Sequence, residues 1–188
     1  MKKKFLFLLA VLPIITLCSC GSDDPEPEPN PIVDTNLIYM EPCLNWGCSQ
    51  STVKTFMNGY SLLKETATLL QYDGKYKEEY TTYSFDNSAY KSVLVAIRTS
   101  KVASEDIANF LNERYSYAAY DDDTEIFLFY TKDKKTAIGL SVRTYNSVNY
   151  WAVIYMKNSA SSIKQGILNV KRMVEEQDIP VMSCIDDD

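Results

Sequence analysis

Apolar residues recur at helical spacing in two parts of the chain. The first set follows Ser49 and consists of Val53, Phe56, Met57 and Tyr60. The second set follows Ser104 and consists of Ile107, Phe110, Leu111 and Tyr115. Such spacing places the side chains on one face of a helix, and a serine is able to cap the helix start. The pattern therefore predicts two helices, each with one buried face.

Strand-like segments follow each predicted helix, marked by apolar runs that are bounded by turn residues. After the first helix, the expected strands are residues 61–65, 67–72, 78–86 and 89–98. After the second helix, they are residues 117–120, 125–131, 136–145 and 148–157. Turns are expected at residues 73–74, 86–88, 132–134 and 146–147. Each group of strands therefore predicts an antiparallel meander.

The two halves of this pattern align with each other. Val53, Phe56 and Met57 match Ile107, Phe110 and Leu111 at an offset of 54 residues. Val93, Val95 and Ile97 match Trp151, Val153 and Tyr155 at an offset of 58 residues, and an insertion at residues 121–124 accounts for the growth. The predicted fold is α+β, with two tandem repeats of one helix and three to four strands each. Residues 41–98 form the first repeat and residues 99–157 form the second.

A third helix is expected at residues 159–177. Its apolar residues lie four, three and three positions apart, at Ile163, Ile167, Val170 and Met173. Gly166 weakens this helix by up to ~1 kcal/mol relative to alanine. We expect it to cap the open end of the second sheet, within a C-terminal region of residues 158–188 that ends in an acidic tail.

The N-terminus has the layout of a signal peptide. Lys2, Lys3 and Lys4 precede an apolar run over residues 5–17. That run is shorter than the about 20 residues that a membrane-spanning helix needs. The run ends in Leu-Cys-Ser-Cys at residues 17–20, which resembles a bacterial lipobox with Cys20 as the acylated first residue of the mature chain. The alternative is a plain signal peptide with a stray cysteine.

Residues 20–40 are expected to form a tether. Residues 21–24, Gly-Ser-Asp-Asp, resemble the signal that sends lipoproteins to the outer face of the outer membrane; the alternative is a solvated start to a linker. Residues 25–31 alternate proline with polar residues, which favours extended polyproline II. At ~3.1 Å per residue, this stalk could hold a domain up to roughly 60 Å from the lipid.

The charge balance argues against anionic partners. Residues 1–19 hold three of the 19 basic residues and none of the 25 acidic ones, so the chain from Cys20 onward has a formal net charge of −9. A field of that sign repels nucleic acid, and no basic cluster offsets it. The apolar content of 46% predicts a core from about residue 38 onward.

Three cysteines remain after lipidation: Cys43, Cys48 and Cys184. An oxidising envelope permits at most one internal bridge among them. Cys43 and Cys48 could close a short loop if the chain turns at Gly47. Cys184 could instead pin the C-terminal tail, and the absence of any bridge is the third alternative.

Two stretches of the first half resemble a known family. Residues 47–59 resemble the G-x-[ST]-x-x-x-V-x-x-x-[LM]-G helix start of the SmpA/OmlA (BamE) lipoproteins, with Gly59 one place late. Residues 83–88, followed by Val93, Val95 and Ile97, are similar to the last hairpin of that family. A tandem pair of such units resembles the β-lactamase-inhibitor-protein family, in which two helix-plus-sheet repeats form one concave binding surface. The resemblance implies a non-catalytic adaptor, inhibitor or assembly factor.

Catalytic and metal chemistry lack their usual residues. The chain contains no histidine, so the commonest general base and metal ligand are both missing, and we expect neither an enzyme nor a cofactor. Acidic residues beside the strands are expected to be solvated. Asp121, Asp122 and Asp123 form a calcium-loop candidate, but they lack the ligand spacing of known loops.

Several strands carry large apolar residues on both faces, whereas a half-buried strand should alternate. Either the opposite repeat or the third helix covers the second face, or that face is an exposed binding platform. The residues expected on the binding face are Phe127, Phe129, Tyr150, Trp151 and Tyr155. Exposed aromatic rings suit protein partners and also sugars.

The function expected is therefore that of a binding protein. It is a lipid-anchored outer-membrane protein, displayed on the cell surface, that acts as a protein-binding or assembly module. Its partners would be the membrane, through acyl chains on Cys20, and a protein, with no nucleic acid. The alternative is a carbohydrate-binding lipoprotein of a glycan-uptake system.

Overall fold

The structure is a computed structural model that describes residues 37–176. These residues belong to the second of two units of the chain, residues 34–188. The lipobox-like residues 17–20, the proline-rich residues 25–31, Cys184 and the acidic tail lie outside the described residues, so the predictions made for them stay predictions.

The described elements are three helices and eight strands. The helices are α1 (Gln50–Phe56), α2 (Ser104–Arg114) and α3 (Ile163–Glu176). The first four strands are β1 (Leu62–Thr66), β2 (Leu69–Asp73), β3 (Tyr80–Asp86) and β4 (Ala89–Arg98). The last four strands are β5 (Ser116–Asp121), β6 (Ile126–Tyr130), β7 (Thr136–Tyr145) and β8 (Val148–Lys157). Strands β4, β7 and β8 have the predicted bounds, whereas α3 begins four residues later than predicted.

The eight strands form one antiparallel sheet in the order β1-β2-β3-β4-β8-β7-β6-β5. The two halves of the chain meet where β4 pairs with β8, with Val95 opposite Val153. Strands β1 and β5 therefore lie at the edges. The α+β class predicted from the sequence is confirmed.

The helix starts differ in how they are capped. Ser49 caps α1, because its hydroxyl accepts a hydrogen bond from the Thr52 amide at 3.4 Å. Ser104 is the first residue of α2, and the capping position is occupied by Ala103, which makes no side-chain bond. Glu105 and Asp106 in the first turn of α2 interact favourably with the helix dipole instead.

One face of the sheet packs against α1, α2 and the segment that begins at Leu37. Ile38 and Tyr39 are buried there, so the core begins as predicted at residue 38, inside the range assigned to the tether. The residues predicted to lie on the buried faces of α1 and α2 face the core, with one exception. Phe56 is 42% exposed, whereas Phe110 is buried with its ring centroid 4.7 Å from that of Tyr39. The segment before α1 thus covers the α2 aromatic and not the α1 aromatic.

The opposite face of the sheet packs against α3. Ile167, Val170 and Met173 are buried there as predicted, whereas Ile163 at the start of the helix is exposed. The helix approaches β7 closely at Gly139, where an added Cβ would lie 2.1 Å from Val170 Cγ1.

The apolar run on β8 is buried on both faces. Val153 and Tyr155 face α2, and Ile154 and Met156 face α3. The sequence left open whether the second face of such a strand is covered by other elements or exposed as a binding platform. For residues 152–156 it is covered, so these residues form no exposed platform.

Candidate functional site

An apolar groove runs between α2 and strands β5 to β8 of the sheet and encloses about 280 Å³. On the helix side it is lined by Ser104, Ala108 and Asn112. On the sheet side it is lined by Tyr117, Phe127, Phe129, Leu140 and Trp151. We call this site the aromatic groove.

The groove exists because the helix side chains that face it are short. Ser104, Ala108 and Asn112 are four residues apart, so they form one stripe along α2. The large residues of the same helix point into the core instead: Ile107, Phe110 and Leu111. The helix is therefore anchored firmly but does not fill the space above β5 and β6.

Three aromatic rings are exposed together on the sheet side of the groove. Tyr117 is 54% exposed, Tyr120 is 41% exposed and Phe127 is 39% exposed. Cross-strand pairing brings them together: Tyr120 lies opposite Phe127, with ring centroids 4.4 Å apart, and Tyr117 lies opposite Phe129 at 5.7 Å. Such exposed aromatic clusters are characteristic of binding surfaces.

A bulge in β5 makes this cluster possible. Tyr117 and Tyr120 are three residues apart, so a regular strand would direct them to opposite faces. The pairing register shifts between Tyr117 and Ala119, and the shift returns Tyr120 to the face of Tyr117. Alternation alone would therefore have placed these two tyrosines on opposite faces, so the sequence did not indicate that they lie together.

The predicted binding-face residues fall into three groups. Phe127 and Trp151 line the groove, and the Trp151 indole is held in place by donating a hydrogen bond to the Val102 carbonyl at 2.9 Å. Phe129 lies at the groove floor and is buried. Tyr150 and Tyr155 do not belong to the groove.

Packing keeps Tyr155 out of the groove, and strand alternation keeps Tyr150 out of it. Tyr155 is fully buried and shares hydrogen bonds with the hydroxyls of Tyr39 at 2.7 Å and Tyr115 at 3.2 Å. Burial raises the pKa of the Tyr155 hydroxyl well above its ordinary value. Tyr150 is on the other face of β8, where its ring lies 6.5 Å from that of Tyr80. Tyr155 is thus a core residue, and Tyr150 is a half-buried residue outside the groove.

The charged residues around the aromatic groove are mainly acidic. The β5–β6 hairpin, residues 116–130, contains Asp121, Asp122, Asp123 and Glu125 but no lysine or arginine. Glu113 is exposed next to Asn112. The nearby Arg114 lies over the Phe110 ring at 3.7 Å and pairs with Glu113 at 3.4 Å. The groove therefore has an apolar floor and an acidic rim.

The conformation of the acidic turn at residues 121–124 is stabilised by hydrogen bonds within the turn. The Asp121 carboxylate accepts bonds from the Thr124 amide at 3.0 Å and from the Thr124 hydroxyl. Within residues 37–176, no group of three or more potential ligand residues is arranged to hold a metal ion. The calcium-loop alternative gains no support from this geometry.

Cys43 and Cys48 are free thiols, and both belong to the apolar cluster on the α1 and α2 side of the sheet. The chain turns between them, with Gly47 at a φ of 83°. Burial raises the pKa of the Cys48 thiol, and the charge of the adjacent Cys43 raises it further. The two thiols are therefore close enough to interact.

A second cavity, of about 370 Å³, lies between the Trp46–Tyr90 stack and the end of α3. It is lined partly by Lys91, Lys157 and Arg172, and Lys91 and Arg172 already interact with other groups. The aromatic groove is the better candidate because its lining is apolar and carries exposed aromatic rings.

No protein-family model matches the chain, and comparisons with curated proteins and with solved structures also give no match. Among the described helices, none is long and apolar enough to cross a membrane.

Proposed function

We propose that this protein is a non-catalytic binding module and that the aromatic groove is the surface that takes up a protein partner. The observation that carries the proposal is the joint exposure of Tyr117, Tyr120 and Phe127 above a preformed apolar groove. Large aromatic side chains dominate protein interfaces because each buries much apolar area and loses little conformational entropy.

Two features favour a protein partner over a sugar. The Tyr120 and Phe127 rings are inclined by 32°, and the Tyr117 and Phe129 rings by 68°, so the cluster offers no flat stacking platform. The rim is charged, and a charged rim around an apolar centre is the usual layout of a protein interface. A glycan ligand remains the alternative, with Ser104 and Asn112 as its hydrogen-bonding groups.

The titratable groups also support a binding role. Burial raises the pKa of the Glu78 carboxyl, as general acids often require. This carboxyl, however, accepts bonds from the Lys75 amide at 3.3 Å and the Tyr76 amide at 3.1 Å, and it does not line the groove. The burial of Glu78 is therefore explained by the hydrogen bonds that its carboxyl accepts within its own loop.

The test compares matched aromatic substitutions in the full-length lipoprotein. Phe127→Ala and Tyr120→Ala are expected to remove a partner that crosslinks to the wild type in native membranes, as measured by quantitative mass spectrometry. Phe56→Ala is the control, because Phe56 is equally exposed but lies on α1. If the groove variants keep every partner, or if an oligosaccharide array binds the wild type through the groove, the proposal of a protein-binding groove is wrong.

We also propose that the two halves of the domain are tandem repeats. Support comes from the matching β3–β4 and β7–β8 turns, in which Asn87-Ser88 and Asn146-Ser147 all have positive φ. These turns are 59 residues apart, one more than the offset of 58 in the strands. The difference is accounted for by a bulge in β4, where Ser84 pairs with Ser92 but Phe85 pairs with Tyr90. The resemblance to SmpA/OmlA lipoproteins, from which an assembly role would follow, rests on residues 47–59 and 83–88 of the first repeat.

The proposed location is the cell-surface side of the outer membrane, through a lipid on Cys20. It rests on the lipobox-like residues 17–20. Cys20→Ala is expected to leave an uncleaved or mislocalised precursor. Mass spectrometry of a mature chain that begins at another residue, without lipid, would contradict this assignment.

A further inference from the structure

Strand β5 combines two roles, as an edge of the sheet and as a wall of the aromatic groove. In the described part of the chain it pairs with β6 only. An edge strand presents backbone N–H and C=O groups to which an extended segment can bind as a further strand. We propose that the partner supplies an extended, positively charged polypeptide segment that adds to β5 as a ninth strand and places an apolar side chain in the aromatic groove. This inference rests on the proposed function.

The two edges of the sheet are protected to different degrees. Edge strand β1 contains Lys64 and Glu65 among its five residues, and charged residues on an edge discourage strand addition. Edge strand β5 has the central sequence Tyr-Ala-Ala-Tyr at residues 117–120, without charge or proline. Both edges contain one irregularity of register, so the bulge does not distinguish them. The side chains of β5 therefore oppose the addition of a further strand less than those of β1 do.

Packing leaves the β5 edge accessible from the side of the groove. Ala118 and Ala119 pack towards the apolar cluster beneath α3, on the opposite face of the sheet. Tyr117 and Tyr120 stay exposed on the groove face. A strand beside β5 would direct alternate side chains to that same face, next to the two tyrosine rings.

Charge specifies the chemistry of the added segment. The β5–β6 hairpin carries four carboxylates and no cationic side chain, and Asp122 and Asp123 at its turn are fully solvent-facing. A negative field of this kind accelerates encounter with a cationic segment and repels an acidic one. The expected segment therefore alternates apolar residues facing the groove with basic or polar residues, over about the six residues that β5 offers.

The experiment uses a synthetic probe and the mature domain with its tether. The probe is a fluorescent eight-residue peptide that alternates phenylalanine or valine with lysine or threonine, and a second peptide has the same composition without alternation. Two further versions carry N-methyl groups on the odd-numbered or the even-numbered residues. Only one of these sets has its N–H groups directed at β5 in an added strand. Fluorescence anisotropy measures each affinity at low and high salt.

We expect the alternating peptide to bind more tightly than the non-alternating one, and less tightly at high salt. N-methylation in one frame should lower the affinity roughly tenfold or more through lost hydrogen bonds, while the other frame stays unchanged. The double substitution Asp122→Lys with Asp123→Lys should weaken binding. Hydrogen exchange should slow in β5 on binding but not in β1, which serves as the internal control.

The outcomes separate this inference from the function on which it rests. If both N-methylated peptides bind alike but Phe127→Ala weakens binding, the groove proposal stands and strand addition is overturned. If no cationic peptide binds although the groove variants lose the native partner, the proposal of a cationic extended segment is overturned and the proposed function stands. Protection of β1 amides in place of β5 amides would also overturn it.

Discussion

Substitution of Gly139 by alanine tests how α3 lies on the sheet. Gly139 is in the middle of β7, and an added Cβ would lie 2.1 Å from Val170 Cγ1, 3.1 Å from Cγ2 and 3.2 Å from Cβ. Carbon atoms in contact are about 3.5–4.0 Å apart, so the helix or the strand must move by more than one ångström. The Val170 side chain is fully buried and cannot rotate out of the way without leaving the core.

The expected cost follows from this overlap. Forcing a methyl group into a packed core costs typically about 1–3 kcal/mol, and this contact falls in the upper part of that range because the obstacle is a branched side chain. At this chain size, that corresponds to a fall in melting temperature of about 2–4 °C per kcal/mol. Urea unfolding followed by circular dichroism measures both the midpoint and the slope.

A second substitution isolates the contact. Val170→Ala alone leaves a cavity, with a cost of about 1–3 kcal/mol from its lost methyl groups. In the double variant, the methyl group added at residue 139 occupies part of that cavity. The double variant should therefore be more stable than the sum of the two single effects predicts, by about 1 kcal/mol or more.

Gly166 provides the matched control on the helix side of the same interface. There an added Cβ would meet the Tyr130 hydroxyl at 2.6 Å, which is the end of a half-exposed side chain that can turn away, and the buried Leu128 Cδ2 at 3.0 Å. Alanine also gains up to about 1 kcal/mol of helix propensity over glycine. Gly166→Ala should thus cost clearly less than Gly139→Ala. Additive effects of Gly139→Ala and Val170→Ala, or a larger loss at Gly166 than at Gly139, would refute this packing of α3.

Three further predictions concern the core and one loop. Phe110→Ala should cost about 3–5 kcal/mol in urea unfolding, whereas Phe56→Ala should cost less than about 1 kcal/mol because only Phe110 is buried; equal effects would contradict the assignment. Burial holds the pKa of the Glu78 carboxyl above its ordinary value, so its favourable contribution is present at low pH and is lost as pH rises through that raised pKa. The stability of the wild type relative to Glu78→Gln should accordingly increase from pH 7 to pH 4, and a pH-independent difference would count against it. Gly74→Ala should destabilise by about 3 kcal/mol or more, since its Cβ would lie 1.8 Å from the Glu78 carbonyl oxygen; an unchanged urea midpoint would be inconsistent with this loop geometry.

Much of the secondary structure was predictable because local signals agreed with the final fold. The turn residues Asn87-Ser88 and Asn146-Ser147 adopt the positive φ that a two-residue hairpin requires, and they fix the ends of β4 and β8. The helix patterns were equally reliable for Ile107 and Leu111. The pattern failed for Phe56, since its exposure depends on which face the segment before α1 covers.

The candidate site was predicted only in part. The sequence indicated that aromatic strands would form a binding surface, and Phe127 and Trp151 do line the groove. It did not indicate that Tyr117 and Tyr120 share one face, because a bulge reverses the alternation on which such predictions depend. It also did not show that Tyr155 is buried, because that depends on Tyr39, 116 residues earlier in the chain.

The sequence by itself determined the elements, their order and the acidic character of this protein, because these follow from neighbouring residues and from composition. Only the tertiary structure decided which aromatic residues are exposed. The β4–β8 pairing joins the two halves into one sheet, and α3 then covers the second face of β6, β7 and β8. The short side chains of α2 leave the groove over β5 and β6 open. Exposure of a side chain is set by what packs above it, and those residues come from distant parts of the chain.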